Sequence, residues 1–140
     1  NRYSIENYLL DPILVFSALL LHDHPEAQKI ATKFNYTKGS LNNLYDEKFE
    51  VLNPIAQEIF QLVEKNLDST FDKSLVDIDL INGVRLQYPH YLINKKGHDL
   101  FAVYKGIFPN ILSREELIRV IAITRFIPKE MLDIFTAIQS

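Results

Sequence analysis

Paired aspartates are the first residues in this chain whose type and spacing could do chemistry. Asp77 and Asp79 lie two positions apart, an arrangement with which metal-dependent phosphoryl-transfer enzymes hold Mg²⁺. They alternate with Val76, Ile78 and Leu80, so a strand would turn the three apolar side chains inward and both aspartates toward solvent. Alternation therefore accounts for the pair, and we interpret both aspartates as surface residues without a catalytic role.

Histidines are the second class of residue that could bind a metal or catalyse a reaction. His22 and His24 flank Asp23, but residues two apart do not share a helix face, and no further ligand is evident nearby. This pattern is typical of a polar turn that ends a helix. His90 has no serine or carboxylate at a recognisable spacing, so the sequence gives no support for nucleophilic catalysis.

Composition limits the remaining classes of function. The chain has 140 residues, a net charge of -3 and no cysteine, which excludes disulfides and thiolate zinc sites within it. The weak negative charge provides no overall attraction for nucleic acid or an anionic membrane. The most apolar run is about half the length of a membrane span, which favours a buried helix over a membrane partner.

One local exception to this charge balance lies in the C-terminal half of the chain. There, basic side chains are interspersed with three tyrosines and could form a cationic, aromatic-bearing face for a nucleic-acid backbone. The competing interpretation is an ordinary solvated surface. The residues concerned are Arg85, Lys95, Lys96, Lys105, Arg114, Arg119 and Arg125, with Tyr88, Tyr91 and Tyr104.

The run Ile5–Pro12, with Arg2 before it, resembles the segment that follows the TOPRIM domain in one family of bacterial proteins. These are the AAA/ABC-type ATPases related to the overcoming-lysogenization-defect nucleases. Tyr88-Pro89 and the stretch Gly97–Leu100 resemble the end of the same proteins, in the same order and at similar spacing. The resemblance covers most of the chain, and it implies that residues 1–140 form a single helical domain at the C-terminus of a larger protein.

The resemblance also implies roles for individual residues. Glu6 matches the late glutamate that completes the metal-binding carboxylates of a TOPRIM site, which makes it the candidate catalytic and metal-binding residue. The alternative is that Glu6 is a helix residue paired with Arg2. The family often has lysine where this chain has His98, so Lys95 and Lys96 are candidates, with His98, for contacting nucleic acid. A solvated loop with Asp99 as a helix N-cap is the competing interpretation.

The expected function is that of a supporting domain in an ATPase-coupled TOPRIM nuclease that acts on DNA in phage defence or DNA processing. Mg²⁺ or Mn²⁺ and ATP would serve the full-length cytoplasmic protein, whereas this segment has no phosphate-binding loop and needs no cofactor in isolation. Partners would be the upstream ATPase and TOPRIM domains, with DNA and homo-oligomers formed through the ATPase part left open. The alternative is a standalone helical interaction or scaffold module without catalysis.

Helices must position most of these residues. Asp11-Pro12 opens an apolar helix, and Pro25 opens a second that runs to about Lys33. Asn53-Pro54 is expected to cap a helix that ends near Asn66. A capping box at Ser113 opens another helix to Arg125, and Pro128 opens the last one.

A single β-hairpin interrupts this pattern at about residues 75–88. Its two arms alternate in polarity around a turn at Asn82-Gly83, and Pro89 ends the second arm. The sequence therefore predicts a mainly α, compact helical domain with one small hairpin.

Overall fold

A computed structural model describes residues 5–79, 85–94 and 97–126. The mainly α fold with one small β-hairpin is confirmed. Its elements, in chain order, are α1 (Ile5–Leu9), α2 (Pro12–Leu21), α3 (Pro25–Lys33), a 3₁₀ helix (Lys38–Asp46), α4 (Phe49–Glu64), β1 (Leu75–Asp79), β2 (Arg85–Pro89), α5 (Tyr91–Asn94), α6 (Gly97–Ile107) and α7 (Arg114–Thr124).

The apolar helix α2 lies at the centre of the core. Its residues from Pro12 to Leu20 are buried on every side, and its main neighbours are α4 and α7. Asp11 caps the helix by accepting a hydrogen bond from the Ile13 amide at 2.9 Å, and Pro12 follows at the first helical position. A helix that is apolar all round requires such cover from its neighbours.

A tight polar turn joins α2 to α3, as the sequence predicts. Asp23 adopts a left-handed backbone with φ of 56°, and the Lys38 ammonium lies 2.8 Å from its carboxylate. The His24 ring then caps α3 by accepting from the Glu26 amide at 3.2 Å. His24 is therefore a capping residue of α3.

Helix α4 begins earlier than the sequence indicates. Asn53-Pro54 was expected to cap it, but the helix starts at Phe49 and Pro54 lies inside it. Proline there removes one hydrogen bond to a carbonyl of the preceding turn, and burial of a long apolar stripe offsets the loss. The stripe crosses the proline, and its members are Leu52, Ile55, Ala56, Ile59, Phe60 and Val63.

The predicted hairpin is confirmed where the structure describes it. Strands β1 and β2 pair antiparallel from Leu75 opposite Pro89 to Asp79 opposite Arg85. Ile78 is buried and Asp77 is exposed, as alternation predicts. The sheet packs on α4, where the Gln57 amide donates to the Gln87 carbonyl at 2.8 Å. The turn at Asn82-Gly83 lies outside the described residues.

Two helices complete the described part of the chain. Helix α6 starts at Gly97, so Asp99 lies in its first turn, and the prediction of Asp99 as an N-cap was wrong. Helix α7 is capped by Ser113, whose hydroxyl accepts from the Glu116 amide at 3.0 Å. Its C-cap residue, Arg125, adopts a left-handed conformation. The last predicted helix, from Pro128, lies outside the described residues. No helix in the described ranges is long and apolar enough to cross a bilayer.

Candidate functional site at the edge of α1 and α7

Glu6, the candidate catalytic residue, forms an ion pair with Arg114 at the edge where α1 meets α7. The Arg114 guanidinium donates to the Glu6 carboxylate across 108 residues of sequence. The Glu6 side chain is 14% exposed and the Arg114 side chain is 55% exposed, so the cation covers the carboxylate from the solvent side. Arg2, the alternative partner, lies outside the described residues.

The residues that follow Glu6 in the same run are part of the core. Asn7 is buried, and its side-chain amide donates to the Leu92 carbonyl in α5 at 2.8 Å. Tyr8, Leu9 and Leu10 are also buried. Glu6 is therefore the residue through which this run presents a charged group at the surface.

A cleft adjoins the ion pair and shares Arg114 with it. The cleft encloses about 330 Å³ between α6 and the start of α7. Lys105 on its wall has no ion-pair partner among the residues that the structure describes. Arg114 and Lys105 thus face this cleft with two positive charges, whereas Glu6 and Glu115 place two negative charges at its margin. Its lining residues are Phe101, Ala102, Lys105, Ser113, Arg114 and Glu115.

The predicted nucleic-acid-binding residues are only partly placed. Lys95 and Lys96 lie outside the described residues, and His98 is located by its backbone in the first turn of α6. Their predicted role stays a prediction.

The prediction that three tyrosines contribute to a nucleic-acid-binding face is wrong. Tyr88, Tyr91 and Tyr104 are each 1% exposed or less, so none of them can stack on a base. Two of the expected cations are also engaged by carboxylates, Arg114 by Glu6 and Arg119 by Glu116. Alternation within β2 turns the Tyr88 ring inward, and helical spacing within α6 turns the Tyr104 ring inward.

A buried hydrogen bond joins the cap of α2 to the hairpin. The Tyr88 hydroxyl donates to the Asp11 carboxylate, and both residues are fully buried. The same carboxylate accepts from the Ile13 amide, so it is held by donors from two elements. Sequence alone indicates the helix cap, but the partner 77 residues away comes from the tertiary fold.

Beside this bond lies a second polar group, formed by Glu64, Tyr91 and Tyr104, which we name the tyrosine cluster. Burial raises the pKa of Tyr91, and the charges of Tyr104 and Glu64 add to that shift. Burial also raises the pKa of Tyr104, with weaker contributions from Glu64 and Asp11. Side-chain interactions of Tyr91 with Tyr104 and Glu64 contribute to these shifts, so the three groups are neighbours. Neither hydroxyl forms a hydrogen bond of good geometry with a described residue.

Sequence reasoning missed a third polar group, at the end of the hairpin. The His90 ring lies 3.3 Å from the Asp72 carboxylate, which also accepts from the Ser74 hydroxyl at 2.6 Å. Hydrogen bonds from the hydroxyl and the backbone amide of Ser74 lower the pKa of Asp72. Because the serine donates to the aspartate and not to the ring, the three residues do not form a nucleophile relay. The predicted hairpin could have indicated this contact. Its register places Leu75 opposite Pro89, and the flanking residues Asp72 and His90 therefore lie at the same end of the sheet.

Metal coordination by this part of the chain would rest on few residues. Within residues 5–79, 85–94 and 97–126, no group of three or more histidine, aspartate or glutamate side chains could hold an ion. Glu6 can supply one carboxylate ligand, and the others would have to come from elsewhere.

Comparisons with known proteins give no relative on which to base an assignment. The chain matches no protein-family model, no curated protein and no solved structure.

Proposed function

We propose that this chain is the helical supporting domain of a cytoplasmic, ATPase-coupled TOPRIM nuclease that acts on DNA in phage defence or DNA processing. The observation that supports the proposal is the position of Glu6 at the edge of the domain, half-buried beneath Arg114, directly after which the motif residues enter the core. A domain built in this way holds one carboxylate at its edge, where a neighbouring domain could use it. The resemblance of the run Ile5–Pro12 to the TOPRIM-associated segment supplies the identity of that neighbour.

In this proposal, Glu6 adds one oxygen ligand to a metal site whose aspartates belong to the upstream TOPRIM domain. Mg²⁺ or Mn²⁺ would there polarise the scissile phosphodiester, and ATP would be bound by the ATPase domain. Arg114 neutralises Glu6 until the neighbouring domain is in place, because its guanidinium covers the carboxylate. Its exposed side chain can move away, and Lys105 and Arg114 would then face the DNA backbone from the cleft.

Replacement of Glu6 in the full-length protein tests this function. Glu6→Gln removes the negative charge but keeps the side-chain size, so metal-dependent nicking of plasmid DNA is expected to fall at least ~100-fold, an order of loss typical of a lost catalytic group. Glu50→Gln on the exposed first turn of α4 is the matched control and should leave nicking unchanged. Nicking that persists unchanged in Glu6→Gln, in a protein that folds normally, would contradict the proposal.

The competing function is a helical interaction or scaffold module without catalysis. The Glu6–Arg114 ion pair favours it, because the pair gives Glu6 a structural purpose in joining α1 to α7. The natural reading frame distinguishes the two functions. A product that carries an ATP-binding loop and TOPRIM aspartates upstream of residue 1 supports the nuclease, and a product without them supports the module.

A further inference from the structure

Helix α4 covers the outer edge of strand β2. The Gln87 amide donates to the Asn53 side-chain oxygen at 3.4 Å, and the Gln87 carbonyl accepts from the Gln57 side-chain amide at 2.8 Å. Both backbone groups of Gln87 therefore point away from β1 and toward α4. Along each strand of an antiparallel pair, residues whose backbone groups face the partner alternate with residues whose groups face outward.

This alternation identifies the backbone groups on the outer edge of Leu75–Asp79, which we name the β1 edge. Asp77 lies opposite Gln87, so its amide and carbonyl also point outward. The His90 amide donates to the Ser74 carbonyl at 2.7 Å, so Ser74 faces β2 and the next residue, Leu75, faces outward. Within the described ranges, the outward backbone groups of Leu75 and Asp77 form no hydrogen bond. Such an edge is a template for pairing with another strand.

The side chains along the β1 edge combine one apolar residue with two opposite charges. Leu75 is 50% exposed, and Asp77 is exposed on the same face of the strand. Lys73 is also exposed, two positions before Leu75. The Lys73 charge lowers the pKa of Glu64, but neither Lys73 nor Asp77 forms an ion pair with a residue that the structure describes.

Two copies of this edge complement each other in one antiparallel register. A twofold axis at Leu75 puts this leucine opposite its own copy and puts Lys73 opposite Asp77 of the partner subunit. An axis at Val76 would put Leu75 opposite a carboxylate. An axis at Asp77 would put two carboxylates opposite each other, which is destabilising. The residue types therefore favour the register centred on Leu75.

We propose that the β1 edge binds a second copy of this chain and forms a symmetric dimer, in which the two hairpins make one four-stranded antiparallel sheet. Leu75 contacts its copy at the centre, and a Lys73–Asp77 ion pair lies on each side of it. Each hydrogen-bonded residue pair across the new ladder exchanges two backbone hydrogen bonds. The strand is short, so the dimer is in equilibrium with the monomer. This surface does not depend on the proposed nuclease function.

Charge reversal tests the dimer and its register together. Analytical ultracentrifugation of the 140-residue chain over a range of concentrations gives the dimer Kd. Asp77→Lys and Lys73→Asp each put like charges opposite each other at both symmetry-related positions, so each should raise the Kd about tenfold or more. Asp46→Lys is the matched control, because it makes the same change at the exposed end of the 3₁₀ helix, and it should leave the Kd unchanged.

Restoring the charge pattern should restore the dimer. The double variant Lys73→Asp/Asp77→Lys should dimerise like the unaltered chain. An equimolar mixture of the two single variants should form heterodimers, because one chain then supplies only acidic and the other only basic side chains at these positions. A chain that stays monomeric at roughly millimolar concentration overturns the proposal. A dimer whose Kd does not respond to these charge changes overturns it too.

Hydrogen exchange distinguishes a second copy from any other cover of the β1 edge. The Leu75 and Asp77 amides should exchange slowly at concentrations that favour the dimer and rapidly in the dilute monomer. The Val76 and Ile78 amides face β2 and should be protected in both, so they are the internal control. Slow exchange of the Leu75 and Asp77 amides in the monomer would mean that another segment of the chain covers this edge, and it would overturn the proposal.

Discussion

At the scale of single residues, a few polar side chains are buried in the apolar core, and their hydrogen-bond partners offset the cost of burying them. Asp11 is completely buried, and a carboxylate in that position is costly unless donors surround it. The Ile13 amide and the Tyr88 hydroxyl are two such donors. Asp11 therefore serves at once as a helix cap and as a link between α2 and β2.

Removal of the Tyr88 hydroxyl tests this link. Tyr88→Phe leaves the ring in its contact with Phe60 but takes one donor from the buried carboxylate, so the free energy of unfolding should fall by about 1.5–3 kcal/mol. Urea denaturation of Tyr88→Phe beside Tyr36→Phe, whose hydroxyl bonds a neutral carbonyl at a less buried position, measures the difference. Equal losses in the two variants would contradict the special role of the Tyr88–Asp11 bond.

Two glutamates should give opposite dependences of stability on pH. Burial raises the pKa of Glu64 in the folded chain above the unfolded value of 4.5. The contribution of Glu64 to the free energy of unfolding is therefore fully present below pH 4.5 and is lost as the pH rises through the folded pKa. The hydrogen bonds from Arg119 lower the pKa of Glu116, so its effect is present above 4.5 and is lost as pH falls through the folded pKa.

The two substitutions to glutamine should therefore differ in sign at neutral pH. Glu64→Gln is expected to stabilise the chain at pH 7, and Glu116→Gln to destabilise it, each by less than about 1 kcal/mol because both groups keep contact with solvent. Both differences should shrink toward pH 4. Thermal denaturation from pH 4 to pH 8 measures them, and the same sign for both variants at pH 7 would count against these pKa shifts.

At the scale of secondary-structure elements, α7 shows how one helix separates its buried face from its surface. Leu117, Val120 and Thr124 face α2 and the rest of the core, whereas Ile118 is 54% exposed one position after Leu117. The helix combines a serine cap with two glutamates in its first turn, both of which suit the positive end of its dipole. Its start is thus locally stabilised, while its orientation depends on the buried face.

Adjacent alanine substitutions on α7 test this separation. Leu117→Ala should lower the free energy of unfolding by about 2–5 kcal/mol, because it leaves a cavity in the core. Ile118→Ala should change it by less than about 0.5 kcal/mol, because its side chain is mostly in solvent already. Chemical denaturation of both variants under one condition gives the comparison. Similar losses of stability at the two positions would contradict the burial of Leu117 and the exposure of Ile118 on α7.

At the scale of the whole molecule, much of the architecture could be predicted from local patterns. Asp11-Pro12, Pro25 and Ser113 mark helix starts that the structure confirms, because caps and early prolines act on the turn that contains them. The hairpin follows from alternation. Local signals misplaced the starts of α4 and α6, which begin at Phe49 and Gly97. In α4 the buried stripe already includes Leu52, before Pro54.

The sequence by itself therefore determined the helical class and the hairpin, and through the family resemblance it indicated Glu6 as the candidate catalytic carboxylate. The tertiary structure alone decided the partners of the polar residues: Arg114 for Glu6, Tyr88 for Asp11 and Asp72 for His90. It also decided that the three tyrosines lie inside the core. Helix caps and alternation act between residues close in sequence, whereas these pairs depend on how separate elements pack, which no short pattern of residue types encodes.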